Sequence, residues 1–445
     1  MSEFQIGGRK GRNVRDHLFV VSGIIQDTLS SVRLKPINVL VADFQLCFDG
    51  LSLPLACKDL YDSGVKDDKL SLLYDVSKTN NVAVKTSLGV TGFELNNNVL
   101  QGDVFGNMLA SNQIDKFGKQ CLENETHMYI YRNKIPIVPL TMCDDLLVIS
   151  ECGYQTDLVT AYINSQARFN YLQFGLSKCS KMHIGKTKPN FKCTPVLLDN
   201  WTSEEREDEK TGEIQFKESY QGKLKVKDVS EVKYLVNKIS SDGSNMQDII
   251  MKCNRGIGIT NKIQNILTTM YFGRFYFEVG ITLIESMLLG SILTNREVAY
   301  NLTVRETDQL EKCHEMALRK LLNLPSKSPK PMLYFMTGST PVHSIVKRRR
   351  LVYLHHILNQ GEESLVKTFF ECQLETRKSK DWATQIVKDL SDFEIELSTE
   401  DIKTFKEDAW KTFIKQKSTT YNDSYYTIDS NLTDGSVGAR KQRSA

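Results

Sequence analysis

The hydrophobic pattern of the first 122 residues predicts alternating helices and strands. A helix is predicted over 15–29, where apolar residues recur at three- and four-residue spacing and share one face (Leu18, Val21, Ile25 and Leu29). The run INVLVADF (37–44) is apolar and β-branched, which predicts a buried strand that ends at Asp43. Further elements are predicted in the order helix, helix, hairpin and helix, at 51–63, 67–78, 81–95 with a turn at Gly89, and 103–122.

The next segment carries a pair of acids inside an apolar run. Residues 127–151 predict two or three strands, and Asp144 and Asp145 fall at the turn between the last two. A helix at about 155–172 and a strand at 181–185 follow. Residues 203–228 are strongly charged and predict a solvated polar hairpin, after which 232–245 returns to a strand and a turn.

From 246 to 418 the pattern is helical throughout. Apolar residues in 304–324 form one stripe, and PSKSPKP (325–331) is interpreted as a linker between helices. Beyond about 418 the core pattern stops, which predicts a disordered tail. The predicted fold class is therefore α+β in the first half and all-α in the second.

Composition places the chain in a broad class. It has 445 residues, a net charge of +3 and ten cysteines, and it contains no C-x-x-C pair. This argues against a disulfide framework and a zinc ribbon, so an intracellular, reducing compartment is predicted, nuclear or cytoplasmic. No segment approaches the ~18 apolar residues of a membrane span, and the polar N-terminus predicts no secretory signal.

Three carboxylates are candidates for one site. Asp43 ends a core strand, and Asp144 and Asp145 lie on a hairpin tip that the same sheet could bring nearby. Three carboxylates together repel unless they are protonated or neutralised, and Mg2+ prefers such oxygen ligands. Taken singly, each Asp is more simply read as a turn or cap residue, and that alternative remains open.

The motifs around these acids change the interpretation. VADFQLCFDG (41–50), VLQGDVFGNMLASNQIDKFGK (99–119), TMCDDLLVIS (141–150) and FGLSKCSKMHIGK (174–186) follow one another at regular spacing, between FQIGGRKGRNVRDHLF (4–19) and VKYLVNKISSDGSNMQDI (232–249). In content and order, the chain resembles the reverse transcriptases of non-LTR (LINE-like) retrotransposons. The N-terminal fingers motifs of that family and an endonuclease domain are not found, so the sequence is interpreted as an N-terminally truncated copy.

The resemblance implies a right-hand polymerase fold with a palm built on an antiparallel sheet. Its implied divisions are partial fingers at 1–35, palm with a fingers-side insertion at 36–190, a charged excursion and palm–thumb hairpin at 191–245, helical thumb and C-terminal region at 246–418, and a disordered tail at 419–445. The basic cluster KRRR (347–350) would then lie on a thumb helix that grips nucleic-acid backbone, with a nuclear-localisation signal or a solvated helix face as alternatives.

The resemblance also implies residue roles. Asp43 and Asp144 would ligate two Mg2+ ions (Mn2+ being an alternative ion), with Asp145 assisting, and Lys178 would act as general acid on the leaving pyrophosphate. The residues implied to contact nucleotide or template are Arg9, Lys10, Arg12, Phe48, Gln101, Gly102, Met142 and Cys143. Phe48 would exclude a 2′-OH, whereas Asp49 is implied to be structural. Met142 and Cys143 depart from the family's aromatic and Ala.

These expectations lead to one function and two alternatives. The first is an RNA-directed DNA polymerase that uses an RNA template, a DNA primer or target and deoxynucleoside triphosphates. The second is a catalytically inactive, truncated remnant that only binds nucleic acid. The third is an RNA-copying RNA polymerase, which shares the metal chemistry but not the sugar selection at Phe48.

Overall fold

The computed structural model describes residues 2–31, 35–45, 47–87, 89–96, 99, 105–170, 172–185, 195–207, 214–270, 272–300 and 302–426. Within these ranges the fold is a mixture of α and β structure, with a small central sheet and many helices. The chain divides into two compact units. The first comprises 1–248, 298–301 and 360–382, and the second comprises 249–297, 302–359 and 383–445.

The strands all belong to the first unit. They are β1 (Ile37–Ala42), β2 (Phe44–Gln45), β3 (Thr79–Thr86), β4 (Gly89–Asn96), β5 (Tyr129–Tyr131), β6 (Ile135–Ile137), β7 (Leu140–Met142), β8 (Asp145–Glu151), β9 (Gln173–Phe174), β10 (Ser180–Ile184), β11 (Leu197–Glu207), β12 (Ile214–Lys225), β13 (Lys227–Val229), β14 (Glu231–Tyr234) and β15 (Asn237–Ser240).

The helices are α1 (Val14–Ser30), α2 (Cys47–Gly50), α3 (Leu53–Asp62), α4 (Asp67–Ser77), α5 (Gly106–Ile114), α6 (Lys116–Lys119), α7 (Tyr154–Phe169), α8 (Met246–Thr269), α9 (Tyr276–Leu283), α10 (Gly290–Ile292), α11 (Val304–Leu321), α12 (Lys330–Thr337), α13 (Val342–Leu358), α14 (Leu365–Thr376), α15 (Trp382–Asp392), α16 (Thr399–Thr404) and α17 (Glu407–Tyr426). None of the helices in the described part of the chain is long and apolar enough to cross a membrane.

A five-stranded sheet in the order β13-β10-β1-β8-β7 forms the centre of the first unit. Strand β1 is buried along its whole length and pairs antiparallel with both β8 and β10. The β10–β13 pair is parallel, so the predicted antiparallel sheet is wrong at this edge. The continuous apolar run of β1 is explained by its position, because a strand with neighbours on both sides and layers on both faces needs no polar alternation.

Several predicted elements have different bounds in the structure. Residues 127–151 contain four strands, β5 to β8, where two or three are predicted. The described part of the helix predicted at 103–122 is divided into α5, α6 and a 3-10 turn. Gly89 begins the second strand of its hairpin. The charged excursion does form a hairpin, β11–β12, and its strands are longer than predicted.

Helix α14 belongs to the first unit, whereas the predicted division placed its residues in the C-terminal helical region. The physical reason is aromatic packing against α1 and the β5–β6 hairpin. Phe369 lies 4.2 Å from Tyr131 and 5.5 Å from Phe19, measured between ring centroids. Trp382 packs edge-on to Phe19 at 5.1 Å. These contacts bury all four rings.

The second unit is helical, with a core formed mainly by α8, α11 and α13. Its last helix reaches Tyr426, so the predicted disordered tail is wrong for 419–426. The reason is again packing, because Tyr421 contacts Phe393 at 5.3 Å and Lys347 lies over the Tyr421 ring.

The basic cluster on α13 makes contacts within the second unit. Arg350 donates to Asp389 at 2.6 and 3.0 Å and is buried, Lys347 pairs with Asp392, and Arg349 donates to the Leu293 carbonyl at 2.9 Å. The interpretation of this cluster as a solvated helix face is therefore wrong for Arg350. Its contacts are those of an internal tie.

Candidate active site

The two adjacent acids lie at a tight hairpin between β7 and β8. Met142 pairs with Asp145 across the two strands, so Cys143 and Asp144 alone form the turn. Cys143 has φ +54°, a left-handed conformation that two-residue hairpins require. All four side chains are partly exposed. The predicted position of the pair is thus correct for Asp144, while Asp145 is the first residue of β8.

Strand register brings Asp43 to the same edge of the sheet. Ala42 is opposite Leu146 at the end of the β1–β8 ladder, so Asp43 follows β1 where Asp145 precedes the paired part of β8. Directly opposite residues of an antiparallel pair have Cα atoms about 4.5–5.5 Å apart. Sequence-distant acids therefore meet because two neighbouring strands, running in opposite directions, end and begin at the same level.

Asp43 is held by the loop that carries Lys178. Lys178 Nζ donates to Asp43 Oδ2 at 3.0 Å, and the Gly175 backbone N–H donates to the Asp43 carbonyl at 2.8 Å. Gly175 is needed for this approach, because a Cβ there would lie 3.1 Å from Asp43 Oδ2. Lys178 is otherwise exposed, and the hydrogen bond with Asp43 raises its pKa, which keeps its proton on Nζ.

The electrostatics of Asp145 register the crowding of negative charge. Burial raises its pKa most, and the charges of Asp144 and Asp43 raise it further. Lys233 and Lys178 act in the opposite direction. The repulsion that the sequence predicts among the three carboxylates is therefore present at this edge of the sheet, and two lysines offset only part of it.

The fit of the site to divalent metal has two sides. Carboxylate oxygens are the donors that Mg2+ prefers, and three such groups share this edge. Within the described ranges, however, no group of three or more His, Cys, Asp or Glu side chains is arranged to hold a metal ion. Asp43 Oδ2 is instead neutralised by Lys178. The donor chemistry suits magnesium, while the arrangement is that of an ion-paired, metal-free site.

The N-terminal segment supports the hairpin turn in a way that the sequence did not predict. Gln5 is fully buried, its Oε1 accepts from the backbone N–H of Gly7 at 2.7 Å and of Cys143 at 3.3 Å, and its Nε2 donates to the Ser111 carbonyl at 3.4 Å. Backbone hydrogen bonds also join this segment to Thr141. A lone Gln in a Gly-rich segment gives no signal of this role beforehand.

Gly7→Ala is expected to disturb the turn that carries Asp144. A Cβ at this position would lie 2.6 Å from the Cys143 backbone nitrogen, closer than real contacts allow, so the turn or the segment has to move. We expect a loss of about 1–3 kcal/mol in stability, measured by thermal unfolding, together with loss of any activity at the site. Gly258→Ala is the control, because its Cβ has nothing within 4 Å. Equal stability of the two variants would contradict the expectation.

The implied nucleotide-contact residues have different surroundings. Phe48 lies on the short helix α2 and is partly exposed, next to Cys47, whose pKa is raised to about 12 by burial and then by the charge of Asp144. The Asp49 backbone is part of the same helix. Gln101 and Gly102 lie outside the described residues.

The three cations of GGRKGR separate into two kinds. Arg9 and Arg12 both pair with Glu3, and Arg12 also donates to Gln360 and Ser364 at 2.7 Å each. These arginines therefore make structural contacts that fix the segment, which corrects their interpretation as free phosphate ligands. Lys10 is exposed at the turn and is the member of the trio that can reach a ligand without breaking such contacts.

Comparison with known proteins gives limited similarity. No protein-family model and no curated protein matches the chain. Among solved structures it is similar to telomerase from Candida tropicalis with a TWJ fragment of telomeric RNA, at 9% identity and TM-score 0.38, covering 92% of this chain and 53% of that one. For the Candida albicans telomerase structure the values are 11%, 0.31, 87% and 53%. The chain spans about half the length of both, and neither value is high enough to assign an activity.

Proposed function

We propose that this chain is a nucleotidyltransferase of the reverse-transcriptase type, an RNA-directed DNA polymerase of a non-LTR retroelement. The observation that carries the proposal is the meeting of Asp43, Asp144 and Asp145 at one end of β1 and β8, beside Lys178. Such a site would extend the 3′-OH of a DNA primer on an RNA template. Positioning and charge stabilisation supply most of the catalysis in this class of reaction.

Each residue has a role that its position supports. Asp43 and Asp144 would hold two Mg2+ ions, with Asp145 assisting; when bound, the ions neutralise charge and orient the reacting oxygens. Lys178 keeps a proton on Nζ because its bond to Asp43 raises its pKa, as a general acid for pyrophosphate release requires. Lys10 provides a cation for phosphate. Met142 and Cys143 would line the primer side of the turn.

A second candidate is a protein that binds nucleic acid without catalysis. The pairing of Lys178 with Asp43, and the lack of a ready metal-holding group in the described part of the chain, favour this alternative. In such a protein, the ion pair would be a permanent feature that neutralises Asp43. The two candidates differ in a single measurable property, which is metal-dependent nucleotide incorporation.

The deciding experiment is primer extension by the full chain. An RNA template annealed to a DNA primer is incubated with deoxynucleoside triphosphates and Mg2+, with EDTA in the parallel reaction. Extension that EDTA abolishes supports the polymerase. Absence of extension, with binding of the same template–primer retained, would reject catalysis in favour of the binding protein.

Phe48→Ala tests which sugar the site selects. If the ring excludes a 2′-OH, its removal should raise ribonucleotide incorporation relative to deoxynucleotide incorporation by about tenfold, since one misfitting group in a pocket changes discrimination by about 1–3 kcal/mol. The measurement is extension with each ribonucleotide in turn. Tyr61→Ala, an exposed aromatic of the same unit, serves as the control. Unchanged sugar preference would favour an RNA-copying RNA polymerase or a different gate.

A further inference from the structure

The base of the β11–β12 hairpin carries aromatic and basic side chains on one face. Across the ladder, Asp199 is opposite Lys223 and Trp201 is opposite Tyr220, so β12 contains one extra residue between these pairs. Gly222, with φ +96°, lies in this irregularity, where its freedom at positive φ is needed. The extra residue keeps Tyr220 on the same face as Lys223, and the alternation of the strand adds Lys225.

A buried carboxylate positions this face. Asp199 is 2% exposed, and its Oδ2 accepts from Arg168 Nε at 2.6 Å while its Oδ1 accepts from the Tyr220 hydroxyl at 3.4 Å. Its backbone N–H donates to Asn164 Oδ1 at 2.9 Å. Arg168 and Tyr220 are thus fixed from beneath by one group, which leaves the upper side of the ring and half of the arginine exposed.

The aromatic pair resembles a platform rather than a core. The Trp201 and Tyr220 rings lie 5.1 Å apart at 52°, and the Arg168 guanidinium lies 5.2 Å from the Tyr220 ring centroid. Tyr220 is 45% exposed, although an aromatic ring of this size is usually covered. A flat exposed ring with a guanidinium at its side offers a surface on which a planar group can stack.

The charge around the platform is mainly positive. Lys223 and Lys225 are exposed, and the single anion beside them, Asp228, pairs with Lys225 at 3.5 Å and with buried Lys181 at 2.8 Å. Residues 204–209, EEREDE, make the far end of the hairpin acidic in sequence. A polyanion would therefore be attracted to the base of the hairpin and repelled from its far end.

We propose that this face binds single-stranded nucleic acid, with a base stacked on Tyr220 and Trp201 and the neighbouring phosphates on Lys223, Lys225 and Arg168. Aromatic rings with cations beside them are the recurrent means of holding unpaired strands, because every base has a π-face and every nucleotide a phosphate. The inference goes beyond the proposed function, since binding here needs neither a metal nor catalysis.

The test is fluorescence anisotropy with a labelled oligo-U of about twelve nucleotides, a length within the usual range of single-strand sites, and the full chain in EDTA. Tyr220→Ala should weaken binding about tenfold, whereas Tyr220→Phe should stay within about twofold, because stacking needs the ring and not the hydroxyl. The double variant Lys223→Gln/Lys225→Gln should weaken binding and make the salt dependence shallower by about 1.4 logarithmic units, at ~0.7 for each phosphate contact.

The controls separate this proposal from folding defects and from other partners. Lys388→Gln/Lys403→Gln removes two exposed lysines of the second unit and should change nothing, and circular dichroism checks the fold of every variant. Heparin, a polyanion without bases, should be insensitive to Tyr220→Ala. Oligo-U binding unaffected by Tyr220→Ala would overturn the proposal, as would equal loss of heparin and oligo-U, which would indicate an acidic-protein surface. Because EDTA is present, these outcomes are independent of primer extension.

Discussion

Asp144→Asn is expected to lower Mg2+-dependent primer extension by on the order of 10³-fold. Metal ions contribute several kcal/mol of transition-state charge stabilisation, and each 1.36 kcal/mol is a factor of ten in rate. Asn keeps the size of the side chain and suits a turn, so the hairpin should remain while a charged ligand is lost. The measurement is the rate of single-nucleotide addition at saturating Mg2+, compared with the unchanged protein.

Asp145→Asn provides the informative contrast. The pKa of Asp145 is raised, chiefly by burial, so above its ordinary value of 3.8 the ionised side chain destabilises the folded state. Replacing it with neutral Asn should therefore raise the thermal unfolding temperature at pH 7 while it lowers extension. Asp157→Asn, at an exposed position on α7, should change neither quantity. Full activity in Asp144→Asn and Asp145→Asn would exclude a metal role for the pair.

The parts of the site that the sequence predicts are those determined by local pattern. The apolar run 37–42 and the alternating approach to Asp144 specify strands, and a two-residue turn places the acids at a tip. Once β1 and β8 pair, their shared end brings Asp43 to that tip. Register follows from burial, because a slip of one residue would turn the apolar side chains of β8 to the wrong face.

The parts that the sequence does not predict depend on contacts between distant residues. Nothing in FQIGGRKGR indicates that Gln5 supports the turn at Cys143, or that Arg12 donates to Gln360. A basic Gly-rich segment has the composition of a phosphate loop, and only the position of Glu3 shows that its arginines are already paired. Charge by itself does not distinguish a ligand site from an internal ion pair, since both need the same side chains.

The segment 360–382 illustrates the same limit on a larger scale. Its helical pattern is no different from that of its neighbours, and so it was assigned to the C-terminal helical region. In the structure it is tied to the first unit by an ion network around Arg132, on the left-handed turn of the β5–β6 hairpin. Arg132 bonds Asp27 at 2.6 and 2.8 Å and Asp381 at 2.6 and 3.1 Å, and all three side chains are buried.

Arg132→Met is expected to destabilise the first unit by about 3–5 kcal/mol, the usual result of removing one partner from a buried ion pair. Met keeps the apolar stem, so the loss reports the two carboxylates left without their guanidinium. Thermal unfolding should shift down by roughly 5–10 °C, and hydrogen exchange of α14 should become faster. The matched control is Lys134→Met in the same hairpin, because Lys134 and Glu375 are both more than half exposed and such pairs contribute about 0–1 kcal/mol.

The pH dependence identifies the cause of this loss. Burial by itself would raise the pKa of Asp27, but its hydrogen bonds and charge interactions with Arg132, and then with Lys378, lower it below 3.8. A carboxyl with a lowered folded-state pKa contributes stability that is fully present above its unfolded value and is lost as pH falls through the folded value. The difference between the unchanged protein and Arg132→Met should therefore be constant from about pH 5 to 8 and shrink only below 3.8. A difference that is small at pH 7, or equal to that of Lys134→Met, would show that the network does not hold this segment in place.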